Sequence, residues 1–109
     1  MAVTTTEAIA SATAAGESSE IEVDAGAVIQ VWASRYLDST GDRVEIWRSD
    51  GDGVEVQVSD DASGAPLALS QHRQSALLNG PARFILKKNA STAAFAVLYD
   101  AYPQPKTTT

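Results

Sequence analysis

Apolar and polar residues alternate with period two over most of this chain, and most regularly across residues 80–102. Ala82, Phe84 and Leu86 fall on one side, with Arg83, Ile85 and Lys87 on the other. After a polar run at 88–92, Ala93, Phe95, Val97 and Tyr99 share one side, and Ala96, Leu98 and Asp100 the other. Successive side chains of a strand point to opposite faces, so two alternating runs joined by a short polar segment predict a β-hairpin. Being the most apolar part of the chain, this hairpin is expected at the centre of a sheet.

The same period recurs upstream. Ile21 and Val23 alternate with Glu20, Glu22 and Asp24, then Asp24-Ala25-Gly26 reads as a turn. Residues 27–33 form a second predicted strand whose two faces, Ile29/Val31/Ala33 and Val28/Gln30/Trp32, are both largely apolar, which suggests cover on both sides. A third strand over 43–49 puts Val44 and Ile46 inward, Glu45 and Trp47 outward. Asp50-Gly51-Asp52-Gly53 follows as a tight turn, because glycine reaches positive φ without strain. Val54, Val56 and Val58 mark a fourth strand, with Glu55, Gln57 and Ser59 facing solvent. Residues 67–69 suggest a short strand, and 70–79 an irregular crossing too short for a stable helix. Six to seven short strands with no helix between them predict an all-β fold: a small antiparallel Greek-key or jelly-roll-like β-sandwich.

The ends differ from this body. Residues 1–18 are rich in Ala, Thr and Ser, with only Val3 and Ile9 as larger branched apolar residues. They predict a flexible N-terminal arm, either a disordered leader or one that orders against a partner, with a helix over 6–15 as the alternative that alanine favours. The organisation expected is therefore an arm at 1–18, a β-sandwich domain at 19–102, and a flexible C-terminal tail at 103–109, where Pro103 and Pro105 end the last strand.

Charge sharpens the picture. The net charge of −6 does not suit a nucleic-acid partner, which selects a basic footprint. Residues 1–61 carry thirteen acids against three bases; residues 62–109 carry five bases and one acid, Asp100. Either the strands of the two halves interleave and cancel their charges, or one acidic and one basic face remain and favour head-to-tail association. With no cysteine there is no disulfide framework and no thiolate metal site. No apolar run has the length of a membrane-spanning helix, and the N-terminus lacks the pattern of a signal peptide.

Candidate chemistry is sparse. His72 is the single histidine and sits in a polar segment without a nucleophile motif, so a surface histidine is expected. The aspartates at 38, 42, 50, 52, 60 and 61 fall in turns and do not match a calcium-loop spacing. Glu45 and Glu55 could oppose each other across the 43–58 hairpin, but on an open surface rather than in a cleft. No catalytic, metal-binding or cofactor-binding residue is expected. Trp32 and Trp47 lie opposite the inward side chains of their strands, and Tyr36 follows Trp32 at a loop edge. Either a loop or the N-terminal arm covers the two tryptophans, or at least one is an interface anchor, with a platform on which a sugar ring stacks as the remaining alternative; Tyr36 fits either of the last two.

The run Leu77-Leu78-Asn79-Gly80-Pro81-Ala82-Arg83-Phe84, then Lys87, then residues 90–100 resembles the C-terminal half of small bacteriophage virion proteins. In those, an apolar lead enters a glycine turn, an aromatic strand, a lysine or proline turn, and a Thr-Ala strand ending in an acid. The likeness extends to the layout of an arm followed by a sandwich. Capsid decoration (cement) and head-fibre proteins of this group are small, commonly trimeric β-sandwiches with flexible arms. The resemblance implies a non-enzymatic structural protein on the capsid exterior. Its partners would be the major capsid protein or other virion subunits and further copies of itself, a trimer being favoured, with neither nucleic acid nor membrane. Trp32, Tyr36, Trp47, Lys87 and Lys88 are the expected contact residues. The alternatives are a carbohydrate- or ligand-binding sandwich and a phage tail or neck component.

Overall fold

The structure, a computed structural model, describes residues 4–38, 41–59, 64–91 and 93–102. The predicted tail at 103–109, the turn residues Ser39, Thr40 and Thr92, and Asp60 and Asp61 lie outside them. The described residues form ten strands and no helix: β1 (Thr4–Ala12), β2 (Gly16–Glu17), β3 (Ile21–Val23), β4 (Val28–Ala33), β5 (Val44–Ser49), β6 (Glu55–Gln57), β7 (Ala68–Leu69), β8 (Ser75–Asn79), β9 (Ala82–Lys88) and β10 (Phe95–Tyr102). Two antiparallel sheets pack face to face as a sandwich. One runs β1-β10-β4-β8; the other runs β2-β9-β5-β6, with β3 also pairing β9 and β7 also pairing β5.

Alternation decides which side chains meet between the sheets. Ile29, Val31, Ala76, Leu78, Phe95 and Val97 come from the four-stranded sheet; Val44, Ile46, Leu69, Phe84 and Leu86 come from the other. Phe95, Ile46, Leu69, Leu86, Val31, Val44 and Val97 are wholly buried, as is Leu37 from the loop after β4. On the outer face of β4, Gln30 and Trp32 are half-buried, so that face is only partly covered.

The turn between β5 and β6 forms as its sequence predicts. Gly51 and Gly53 adopt φ of 87° and 91°. Asp50 closes the turn itself: its Oδ1 accepts from the backbone N–H of Asp52 at 2.8 Å and of Val54 at 3.2 Å. Gly80 serves a different need, since a side chain there would run into the carbonyl oxygens of Val23 and Asp24.

Several expectations are corrected. Residues 80–102 are not a hairpin: β9 pairs with β2, β3 and β5, whereas β10 pairs with β1 and β4 in the opposite sheet. The six-residue link at 89–94 is long enough to cross the ~10 Å between sheets, and alternation within a strand carries no information about its neighbour. Most of the segment expected as an arm is strand. β1 is the longest strand and pairs with β10, neither free nor helical, and β2 pairs with β9. The crossing at 70–79 contains β8, paired with β4. Finally, Val54 and Val56 are 56% and 62% exposed, while Glu55 and Gln57 are half-buried. Val56 does share its face with core-side Phe84, through their common partner Arg48. At this end of the sandwich that face stays open to solvent.

Candidate functional site

The outer face of the six-stranded sheet gathers Trp47, Lys87, Glu45 and Glu55. Trp47 on β5 lies in register with Gln57 of β6 and Ile85 of β9. The Lys87 ammonium sits 4.5 Å from the Trp47 ring centroid and donates to Glu55 Oε1 at 2.6 Å. The indole N–H of Trp47 donates to Glu45 Oε1 at 3.1 Å, and Arg43 pairs with Glu45 at 3.3 Å. The hydrogen bond to Glu55, with the charges of Glu55, Glu17 and Glu45, raises the Lys87 pKa above its ordinary value against the opposing effect of burial. Glu45 and Glu55 do not oppose each other: the register sets Glu45 against Lys87 and Glu55 against Ser49. One face of the Trp47 ring is therefore already covered by a cation, which leaves less of it open to a stacked sugar.

The charge asymmetry of the sequence is settled largely on this face. Arg83 pairs with Glu20 at 3.7 Å and Glu22 at 3.2 Å, and Lys87 with Glu17 at 3.9 Å and Glu55. Bases of the C-terminal half thus lie among acids of the N-terminal half, and the interleaved reading holds here.

Lys88 is withdrawn from the set of contact residues. It belongs to β9 rather than to a turn, is 3% exposed, and points away from Lys87. Its ammonium donates to Ala14 O, Asn89 O and Ser91 Oγ at 3.0, 3.1 and 3.3 Å, and sits 4.5 Å from the Phe95 centroid. The Arg35 guanidinium lies 5.4 Å from the same ring and pairs with buried Asp42 at 2.9 Å. Burial lowers the Lys88 pKa, Arg35 lowers it further, and Asp42 opposes both. This cluster ties the loops at one end of the sandwich together. Period-two patterning places Lys88 on the core face, yet a lysine there reads as a turn until its oxygen ligands are known.

Tyr36 stands at that same end, 69% exposed. The loop beneath it is braced in a way the sequence did not reveal. Gln74 accepts from the backbone N–H of Leu37 at 2.8 Å and donates to Leu37 O at 2.9 Å, while Arg35 donates to Tyr36 O at 2.9 Å. With Leu37 buried as a peg, the exposed ring is held on a fixed backbone. Beside it is a shallow hollow of about 260 Å3 lined by Tyr36, Leu37, Asp38, Gln71 and His72. His72 is an exposed loop residue, its backbone N–H held by Ser70 Oγ at 3.2 Å.

Trp32 lies on the outer face of the four-stranded sheet, in register with Leu98 and Ser75. It is half-buried, and its indole N–H has no hydrogen-bond partner. Leu77, 62% exposed, extends this apolar stripe beside Gln30. At the far end of the sandwich an open groove of about 630 Å3 runs past Val54, Val56, Arg48 and Pro81. The structure thus spreads the expected anchors over three surfaces: Trp32 on one sheet, Trp47 and Lys87 on the other, and Tyr36 at an end. Among the described residues, no group of three or more His, Cys, Asp or Glu is placed to hold a metal ion. No family model, curated protein or solved structure matches the chain.

Proposed function

We propose that the chain is a non-enzymatic virion structural protein, a capsid decoration protein that binds the shell exterior and neighbouring copies of itself. The observation that carries this reading is the strand order. Counting β2 with β3, and β6 with β7, as single arms gives eight. Their pairings are first with eighth (β1–β10), second with seventh (β2/β3–β9), third with sixth (β4–β8) and fourth with fifth (β5–β6/β7). Those are the pairings of one long antiparallel hairpin rolled into two sheets, a jelly-roll connectivity, and jelly rolls recur in viral capsid domains. Fold likeness is an analogy rather than a mechanism; the mechanism is surface contact. Tyr36, on its braced loop, pre-pays the ordering cost of an anchor. Trp47 with Lys87, and Trp32 with Leu98, offer broad apolar contacts rimmed by charge. Many copies on a lattice add avidity, so each contact can be weak.

The second reading is a ligand-binding sandwich, since lectin domains share this architecture. The hollow beside Tyr36 favours it, combining an aromatic ring with the carboxylate of Asp38 and the amide of Gln71. A tail or neck component would use the same surfaces on a different partner.

The test is co-sedimentation of the purified chain with empty shells and, separately, with isolated tails of the virus that encodes it, alongside a glycan array, using the natural chain and Tyr36→Ala. Binding to shells that Tyr36→Ala weakens, with no glycan signal, is the expected result. Binding to tails and not to shells selects the tail component; glycan binding without shell binding selects the ligand-binding module. Failure of all three overturns the proposal.

A further inference from the structure

We propose that β1 is an exchangeable strand: it leaves its own sheet and pairs with the β10 edge of a second copy of this chain. β1 sits at the edge of the four-stranded sheet and, among the described residues, pairs with β10 alone. Although nine residues long, it buries one large side chain, Ile9; Thr5, Thr6, Glu7, Ala10 and Ser11 are exposed. Its ladder is interrupted twice, between Glu7 and Ile9 and between Ile9 and Ala12. Backbone hydrogen bonds to an edge strand replace bonds to water with small net gain each, and Ile9 is the one large side chain whose burial adds to them.

Only residues 13–15 join β1 in one sheet to β2 in the other. Three residues span about 10 Å when extended, close to the separation of two packed sheets. A link this short favours straightening, which carries the strand out to a neighbour. Among the described residues, two bonds to the link hold it closed, from Lys88 Nζ to Ala14 O at 3.0 Å and from Ser91 N–H to Thr13 O at 2.8 Å.

The vacated edge specifies its occupant. It needs one branched apolar residue opposite Val97, a small residue opposite Phe95, a hydroxyl where Thr5 donates to Asp100 at 2.6 Å, and bulges between them. β1 of another copy supplies all of these, and the exchanged strand makes the contacts it made at home. This deepens the self-association part of the decoration reading. It concerns the isolated chain, so its failure would leave shell binding standing.

The chain has no cysteine, so single thiols report cleanly. Thr5→Cys chains and isotope-labelled Asp100→Cys chains are unfolded together, refolded at high concentration and oxidised. Exchange places the two thiols side by side only between unlike chains, so the mixed disulfide dimer should dominate over both same-variant dimers. The double variant Thr5→Cys/Asp100→Cys, oxidised dilute, should close within one chain and remain monomeric on concentration, showing that the pair can bond. A statistical mixture of the three dimers, or monomers alone while the double variant closes, overturns exchange. A double variant that does not close overturns the β1–β10 register on which exchange rests.

Discussion

β1 and β9 are both long strands, yet they are held by different means. β9, seven residues, lies inside its sheet with β2 and β3 on one side and β5 on the other, and buries Phe84, Leu86 and Lys88. β1, nine residues, lies at an edge and buries Ile9. The longer ladder is the weaker attachment, because burial of apolar surface rather than the number of backbone bonds decides how firmly a strand is held. The firm strand organises the fold, and the other is the strand proposed to exchange.

Mutations can break or sharpen this contrast. Leu86→Ala empties a wholly buried site at the centre of β9 and should cost about 3–4 kcal/mol in denaturant unfolding, with the whole transition shifted. Lys88→Ala removes a buried ammonium with three oxygen partners and should cost about 2–3 kcal/mol. Because one partner is Ala14 O on the link to β1, the same change should also speed amide exchange in β1. Ile9→Ala should cost about 1–2 kcal/mol, and because the Ile9 contact is lost both when β1 opens alone and when the chain unfolds, exchange should speed up in both strands while β1 stays the faster. Equal protection of β1 and β9 in this variant would show that they unfold as one unit.

The smallest effect is on pH dependence. Lys87 holds its proton more tightly when folded, so its contribution to stability is present below the ordinary lysine value of 10.5 and lost as pH rises through its raised folded value. Lys88 holds its proton less tightly when folded, so between its lowered value and 10.5 the unfolded state binds more protons and stability rises with pH. Glu55→Gln removes the main cause of the Lys87 shift and should flatten the alkaline fall in Tm that Lys87 produces. A fall of unchanged steepness would show that Glu55 is not what holds the proton.

The faces of β5 and β9 were legible because each alternates a clear apolar set with a largely polar one; those of β4 and β10 followed from period two alone, since both of their sets are largely apolar. So was the turn at 50–53, whose glycines need positive φ. Strand partnership was not legible. Residues 80–102 read as a hairpin because the link at 89–94 looks like a turn, and nothing local says that it crosses between sheets. β1 was hidden because a strand of Thr and Ala with one Ile has no amphipathic signature; its hydrogen-bond partner, the β10 edge, lies far along the chain. Val54 and Val56 carry a correct inward pattern at a place where the sandwich is open. Among the residues expected to make contacts, the exposure of Tyr36 fits its position at a loop edge. Its bracing by Gln74 spans 37 residues of sequence and leaves no local mark.

Native-state hydrogen exchange, read residue by residue, tests the central contrast most directly. The β1 amides that bond to β10 should open locally and exchange at least about 100-fold faster than the β9 amides that bond to β5. Equal protection of the two strands would contradict the account, since β1 would then be as firmly held as the strand at the heart of its fold.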